Sequence, residues 1–484
     1  MPALTRPEHP QHIALPLRKA TLATETDVLV VGGGPAGLGA ALGAAQAGAR
    51  VVLAERYSFL GGNATAALVM PLMSFHTQRP TFEKAGVTNL LPNDHGPGHP
   101  VVAGVLKTML ERLVSSGGAV APSIDTGYTV PFDPEVFKLV ALEMLHEAGV
   151  EFLFHAFASG VEGDSGRPTG AIFETKSGPL LIRARTIVDC TGDGDIATQA
   201  GADYEIGRDE DGLVQPMTLM FRIAEFQRAA FDAYCREHPG QWHGVHGLWD
   251  LVAKATEAGE LDLTREDILF FGTPYEREVA VNSTRVTRVL GCDVWDLSYA
   301  EWESRRQLQQ VASFLKKYVP GFEQSYIMQS GVHTGVRETR RIVGDYRLQA
   351  EELLRAARFD DVIARGAYPV DIHNPSGKGT IIKRLPPDEA YDIPWRSLLP
   401  KGIDNLAVAG RCISGSHEAL SSYRVMPIAM ATGQAAGIAG ALAARYKTTL
   451  RHVAVDAIQT ELIRQGADLG QEMPRMPLSR SGLP

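Results

Sequence analysis

From position 27 to position 55 the chain reads DVLVVGGGPAGLGAALGAAQAGARVVLAE, the stretch that most narrows what it can fold into. Residues 28–31 are a short unbroken apolar run, the pattern of a strand buried on both faces of a parallel sheet. The next six residues satisfy G-x-G-x-x-G at Gly32, Gly34 and Gly37, and a helix of small residues runs on to about Gly48. A second apolar run, 51–53, ends at Glu55, and a dinucleotide fingerprint places its acid roughly 20 residues beyond the glycines.

Each part of this unit answers a physical need. Gly32 permits the tight turn out of the strand, Gly34 lets the backbone approach a pyrophosphate, and Gly37 lets the helix lie close to the sheet. Pro35 and Ala36 open the helix, whose free N–H groups and partial positive charge suit a phosphate. Glu55 can accept hydrogen bonds from ribose hydroxyls, with Arg56 beside it. A glycine-rich structural turn is the plain alternative, but the whole strand, turn, helix, strand and acid unit argues against it.

The same grammar returns three times. Leu60-Gly61-Gly62-Asn63-Ala64-Thr65 offers a second glycine pair, including Gly61, Gly62 and Asn63. Residues 187–195 read IVDCTGDGD, a strand ending in a turn with Thr191, Gly192 and Asp193, and residues 405–411 read NLAVAGR, a strand running into Gly410 and Arg411. At these places the chain resembles the FAD-dependent oxidoreductases of the two-dinucleotide-binding-fold superfamily, in particular the group similar to fumarate reductase flavoproteins. The resemblance implies an α/β fold: a Rossmann-like FAD-binding domain built from discontinuous segments, 24–205 and 396–447, with an inserted α+β substrate domain at 206–395. An N-terminal extension at 1–23 and a C-terminal helix and tail at 448–484 complete the division. FAD is the implied cofactor, held by the residues just named together with Met426.

The block 410–437, GRCISGSHEALSSYRVMPIAMATGQAAG, is where the chemistry is expected. Pro427 suits a first helical turn, and a helix N-terminus beside the flavin would stabilise negative charge accumulating there on reduction. The resemblance puts His417 and Arg424 on the substrate side, His417 as proton acceptor and Arg424 as a carboxylate clamp, with Tyr423 as a further hydrogen-bond donor and Glu418 as an alternative base. The plain alternative makes His417 and Glu418 helix-capping residues and gives Arg424 to backbone carbonyls. Arg411 departs from the acid that many relatives carry for the ribityl chain, and the succinate-site context of those relatives is missing around His417.

Between these blocks the sequence is less specific. His76 follows an apolar segment and is a candidate substrate contact, and residues 79–99, rich in Pro, Gly, Asn and Asp, read as a loop or lid. Asp133 precedes Pro134 and Glu135, an N-cap for a helix to about His146. Residues 151–188 show the turns of a small meander. The cluster Trp242-His243-Gly244-Val245-His246 lacks a third ligand at metal spacing, so no metal is expected. Arg337, Arg340 and Arg341 cannot share one face of a helix or strand; Arg337 and Arg340 are candidate contacts to an anionic substrate, against the simpler reading of ion pairs with Glu338 or Asp345.

Composition limits the rest. With 484 residues and a formal net charge of −9 the chain has room for two domains and no broadly basic surface for nucleic acid. Its four cysteines are scattered without a CxxC pair, which suits a reducing compartment. The first 23 residues lack a sustained apolar run, and no window is expected to cross a membrane, so a cytoplasmic protein is expected. The alanine-rich C-terminal region could serve a homo-oligomer. No second G-x-G-x-x-G with its own strand and acid is present. The expected activity is therefore that of a dehydrogenase or oxidase acting on a small polar, anionic substrate. The alternatives are an NAD(P)H-dependent monooxygenase or reductase and, behind it, a non-catalytic binding protein on the same fold.

Overall fold

The computed structural model describes residues 6–14, 18–79, 90–91, 97–124, 126–377 and 379–470. Its first sheet is built on the strand Thr21–Val31, which pairs in parallel with Val51–Ala54 on one side and Gly178–Asp189 on the other. Glu151–Leu153 extends the first side, again in parallel. The apolar runs sit where both faces are covered: Val28, Leu29, Val30 and Leu53 have no exposed surface.

Gly178–Asp189 carries two partners along one edge. Its first half pairs antiparallel with Arg167–Thr175, which pairs in turn with Phe157–Asp164, giving the expected meander. Its last three residues pair in parallel with Leu406–Val408. Chain from three distant segments therefore ends at one edge of the sheet, the carboxyl edge where ligands of open α/β sheets bind.

Two helices cover this sheet, Pro35–Gln46 and Met426–Tyr446, and glycine joins them. A Cβ on Gly433 would come within 1.9 Å of the Ala36 carbonyl oxygen, one on Gly437 within 1.9 Å of that of Ala40, and one on Gly39 within 2.1 Å of that of Met430. Ala36 facing Gly433 and Ala40 facing Gly437 fix the helices as parallel, so both N-termini lie at the same end. The later helix begins about six residues earlier relative to that contact, an overhang of roughly 9 Å at 1.5 Å per residue. Contrary to expectation, Met426–Tyr446 is long and apolar enough by composition to cross a membrane; 94% of its apolar window is buried inside the protein.

The second sheet is antiparallel, in the spatial order Trp242–His243, His246–Gly247, Ile268–Gly272, Glu278–Val281, Phe221–Ala224 and Tyr326–Ser330. Phe221, Ile223, Ile268, Phe270, Val279 and Val281 pack on one face against Phe231, Val252, Val311 and Phe314 from the helices Arg228–Glu237, Trp249–Glu257 and Val294–Tyr318. The other face turns toward the first sheet. There Arg222 pairs with Glu278 at 2.5 Å and with Asp133 at 3.3 Å, all three nearly dry. Asp133 also caps the helix Pro134–Glu147, so one buried arginine ties the two sheets.

The expected unit 206–395 does not pack as one body. The second core gathers residues 219–322 with Leu90, whereas Ile342, Val362, Tyr391 and Trp395 belong to the first core. The cause is pairing: Arg340–Ile342 bonds Tyr204–Ile206, and Val362–Gly366 with Tyr391–Pro394 packs on the helix Met426–Tyr446. Of the expected lid, 80–89 and 92–96 lie outside the described residues, as does the tail from 471 onward.

Candidate active site

A cavity of about 790 Å³ opens between the two sheets. Its first wall is the glycine turn. Gly32 has φ +100°, and a Cβ there would meet the Cys190 carbonyl at 2.5 Å; on Gly37 a Cβ would strike the Gly32 carbonyl. Gly32, Gly34, Pro35 and Ala36 line the cavity, with Gly62 and Asn63 opposite them. Glu55 is 5% exposed yet reaches this wall. Its Oε2 accepts the Gly33 N–H at 2.6 Å and its Oε1 the Tyr57 N–H at 2.9 Å. Each oxygen keeps a second lone pair for a hydroxyl. Arg56 lies beside it on the same wall.

Thr191, Gly192, Asp193, Gly410 and Arg411 continue the wall. Fully buried Asp189 shapes the turn, accepting the Thr191 N–H and hydroxyl and the N–H groups of Ile196 and Ala197. Arg411 Nη2 meets Asp193 Oδ1 at 2.9 Å, and the Thr339 hydroxyl donates to the same oxygen at 2.6 Å. An acid, Asp193, thus stands beside position 411 from the neighbouring strand end, paired with Arg411. Met426 and Pro427 bring the second helix N-terminus to the same cavity.

The far end is cationic. Arg265, Arg285, Arg337 and Arg424 all line it. Arg337 donates from Nη1 to the Pro216 carbonyl and the Thr218 hydroxyl, 2.6 Å each. Arg424 has a buried Nε with no partner. Among the described residues no carboxylate pairs with Arg285, Arg337 or Arg424; Arg265 alone is matched, by Asp267 at 2.9 Å. Burial, with Arg424 and Arg285 close by, pushes the Arg337 guanidinium down to about 9, and burial with Arg265 pushes Arg285 down to about 10. His373 lies among them, its Nδ1 accepting from Arg285 Nη2 at 3.3 Å. Burial, then Arg337 and Arg424, hold that imidazole well below its usual range, so it stays neutral. Asp371 takes the Tyr368 hydroxyl at 2.8 Å.

Several expected site residues lie elsewhere. His417 is 3% exposed, outside the cavity, with Nδ1 2.9 Å from Glu338 Oε1. The same carboxylate accepts from Arg341 and from the Gln215 N–H, so His417 belongs to a buried structural network. Tyr423, 1% exposed, donates to the Ile413 carbonyl at 3.1 Å. His417 opens and Tyr423 closes a short helix whose inner face is core; only Arg424, just past its end, reaches the cavity. His76 stacks on Tyr128 at 3.8 Å, away from the cavity, and burial with the His99 charge brings it down to about 4. Arg340 pairs with Asp195 and the Thr198 hydroxyl. Gly37 and Gly61 shape the turns without lining the cavity. The three clustered arginines thus take three directions: cavity, ion pair and buried network.

Sequence reasoning missed Arg265, Arg285, Asp371, His373 and the pair His246–Asp267. Asp371 and His373 stand two apart on the strand Val370–His373, and that alternation puts both on one face. No local signal joins His246 to Asp267, which are 21 positions apart.

FAD fits this cavity: a glycine turn that any Cβ at Gly37 would force out of shape, an acid with spare lone pairs for a ribose, and two helix N-termini with an overhang between them. Known proteins resemble this chain in part. A thiamine thiazole synthase of Aeropyrum pernix is 28% identical over 203 residues, 40% of this chain, and the chain spans 63% of that relative's length. A geranylgeranyl bacteriochlorophyll reductase-like protein from Thermoplasma acidophilum superposes with TM-score 0.44 at 13% identity, over 92% of this chain and 84% of that one. A myxobacterial chondrochloren halogenase gives 0.42 at 15% identity, over 91% and 79%. With the family pattern matching residues 27–462, the chain belongs to the FAD dependent oxidoreductases and is an FAD enzyme.

Proposed function

We propose that the enzyme oxidises a small polar substrate bearing an anionic group, which docks at the arginine end of the cavity and gives up a hydride, the electrons passing on to oxygen or a carrier. The supporting observation is the set of three cavity-lining arginines, Arg285, Arg337 and Arg424, without a carboxylate partner among the described residues. Unpaired guanidinium groups out of water are costly, and a bound carboxylate or phosphate lowers that cost by charge-assisted, often bidentate hydrogen bonds.

When bound, FAD supplies a two-electron acceptor for a C–H bond. The residues do the rest. Arg337 is pre-set by Pro216 and Thr218 and offers its remaining N–H groups to the anion. Neutral His373 adds no positive charge beside it. The N-terminus at Met426 favours negative charge building up at that end of the cavity.

The test is anaerobic. Added alone to the flavin-loaded protein, NADH and NADPH are expected to leave the visible flavin band unchanged, whereas a member of a panel of small hydroxy and amino acids bleaches it. Bleaching by nicotinamide alone would move the enzyme to the reductases and monooxygenases.

A further inference from the structure

We propose that His246, oriented by Asp267, is the proton acceptor of this cavity. It takes the substrate's O–H or N–H proton on Nε2 while the C–H hydrogen leaves for the flavin. The inference rests on the substrate oxidation argued above. It gives the role once expected of His417 to a residue on the other sheet.

Register places the pair. His246 lies opposite Leu269 in the antiparallel sheet, and directly opposed side chains share a face. Asp267 stands two residues before Leu269, so it shares that face too. All three line the cavity. His246 Nδ1 is 2.9 Å from Asp267 Oδ2, while Arg265 holds Oδ1 from Nε at 3.1 Å and from Nη2 at 2.9 Å. Burial alone would raise Asp267, but the hydrogen bond from His246 and the charge of Arg265 bring it down to about 2. A carboxylate in that state only accepts, so Nδ1 carries the hydrogen and Nε2 presents a lone pair.

The other cavity histidines are engaged differently. His373 already spends Nδ1 on Arg285, and four arginines oppose any added proton. His333 has Nδ1 2.6 Å from the Thr334 carbonyl and stacks on Tyr57 at 5.5 Å, beside the Glu55 turn that faces the cofactor's ribose. His246 is next to the arginine end through Arg265, and its side chain is 44% exposed, which lets it return a proton to water.

The step balances. With a hydroxy acid, the C–H bond breaks and its hydrogen leaves with both electrons to reduce the flavin. The O–H bond breaks, its electron pair becomes the second bond of C=O, and its proton goes to Nε2. The substrate is oxidised by two electrons, and oxygen or a carrier later removes them from the flavin.

Two measurements on the flavin-loaded protein decide it. Long-range proton–nitrogen spectra of histidine-labelled enzyme are expected to show His246 protonated at Nδ1 and bare at Nε2, with that preference lost in Asp267→Asn; an Nε2–H tautomer in the unmodified enzyme overturns the proposal. Anaerobic stopped-flow bleaching with lactate, malate, alanine, aspartate and glycerol 3-phosphate is the second. For a panel member that bleaches the unmodified enzyme, His246→Ala is expected to lower the bleaching rate constant by about 10²-fold with the apparent Kd unchanged and partial recovery in added imidazole. Arg337→Met is expected to show the reverse split. Bleaching at the unmodified rate in His246→Ala refutes this proposal alone; a panel in which nothing bleaches the unmodified enzyme refutes the substrate reading and this role with it.

Discussion

Replacing Gly437 by Ala sets two physical effects of opposite sign against each other. Alanine is the better helix former by about 1 kcal/mol, so local propensity makes the variant more stable. Packing says the reverse. The new Cβ would lie 1.9 Å from the Ala40 carbonyl oxygen, whereas real Cβ atoms essentially never come under 3.0 Å. Both helices, Pro35–Gln46 and Met426–Tyr446, would have to part by roughly 1 Å, a shift that also loosens the close approaches at Gly39 and Gly433 and that rigid backbone resists. Overpacking of this kind costs about 3 kcal/mol, which leaves a net loss of about 2 kcal/mol and, for a chain of this length, a lower unfolding midpoint by about 2 °C. Gly440→Ala is the control, because its Cβ would meet the Thr186 hydroxyl at 3.0 Å and the Val28 side chain at 3.4 Å. Thermal unfolding followed by circular dichroism and by flavin release would show the Gly437→Ala loss with Gly440→Ala near the parent. A Gly437→Ala protein as stable as the parent would refute the argument that glycine here is set by helix contact.

Further outcomes follow from single side chains. Glu55→Ala removes the acceptor of two backbone N–H groups and the carboxylate proposed for the ribose; a weakening of FAD binding by at least about tenfold is expected in titrations of the deflavinated protein, and an unchanged affinity would remove the ribose assignment. His417→Ala leaves the buried Glu338 carboxylate short of one partner inside the core, so the unfolding midpoint should fall while the rate of flavin bleaching holds; a slowed rate in a protein of parental stability would return His417 to the chemistry. Asp195 is pushed up to about 6 by burial and by the Asp193 and Asp189 charges. The folded state then holds a proton that the unfolded chain has released, so this group's contribution to stability shrinks as pH rises from about 4 to about 6. Asp195→Asn should flatten the midpoint-against-pH curve across that window, and parallel curves would refute the assignment.

The cofactor half of the site was legible in the sequence because each piece of it is local. The turn after Val31, the acid after Ala54 and the turn after Asp189 each pack their meaning into a few consecutive residues, and strand, glycine and acid spacing reports it. The substrate half is not local. Arg285 and Arg424 come together only because the two sheets face each other, and His246 meets Asp267 only through strand register. A sequence window sees charge and spacing but not which side of a strand faces a cavity. His417 shows the same limit from the other direction: it stands seven residues from the cavity-lining Arg424, yet the short helix between them turns it into the core. The same holds for the domain boundary near 340, where the pairing of Arg340–Ile342 with Tyr204–Ile206 outweighs any change in composition.

The glycine-notched pairing of the first and last long helices has a consequence for how this protein is made. Pro35–Gln46 emerges from the ribosome early, but its partner ends at Tyr446, about 400 positions later. At 5 to 20 residues per second that interval is roughly 20 to 80 s. Throughout it the turn that grips the pyrophosphate has no second helix behind it, and the apolar strand beneath stays uncovered. A chain ending before Met426 is therefore expected to hold FAD more weakly than the full chain.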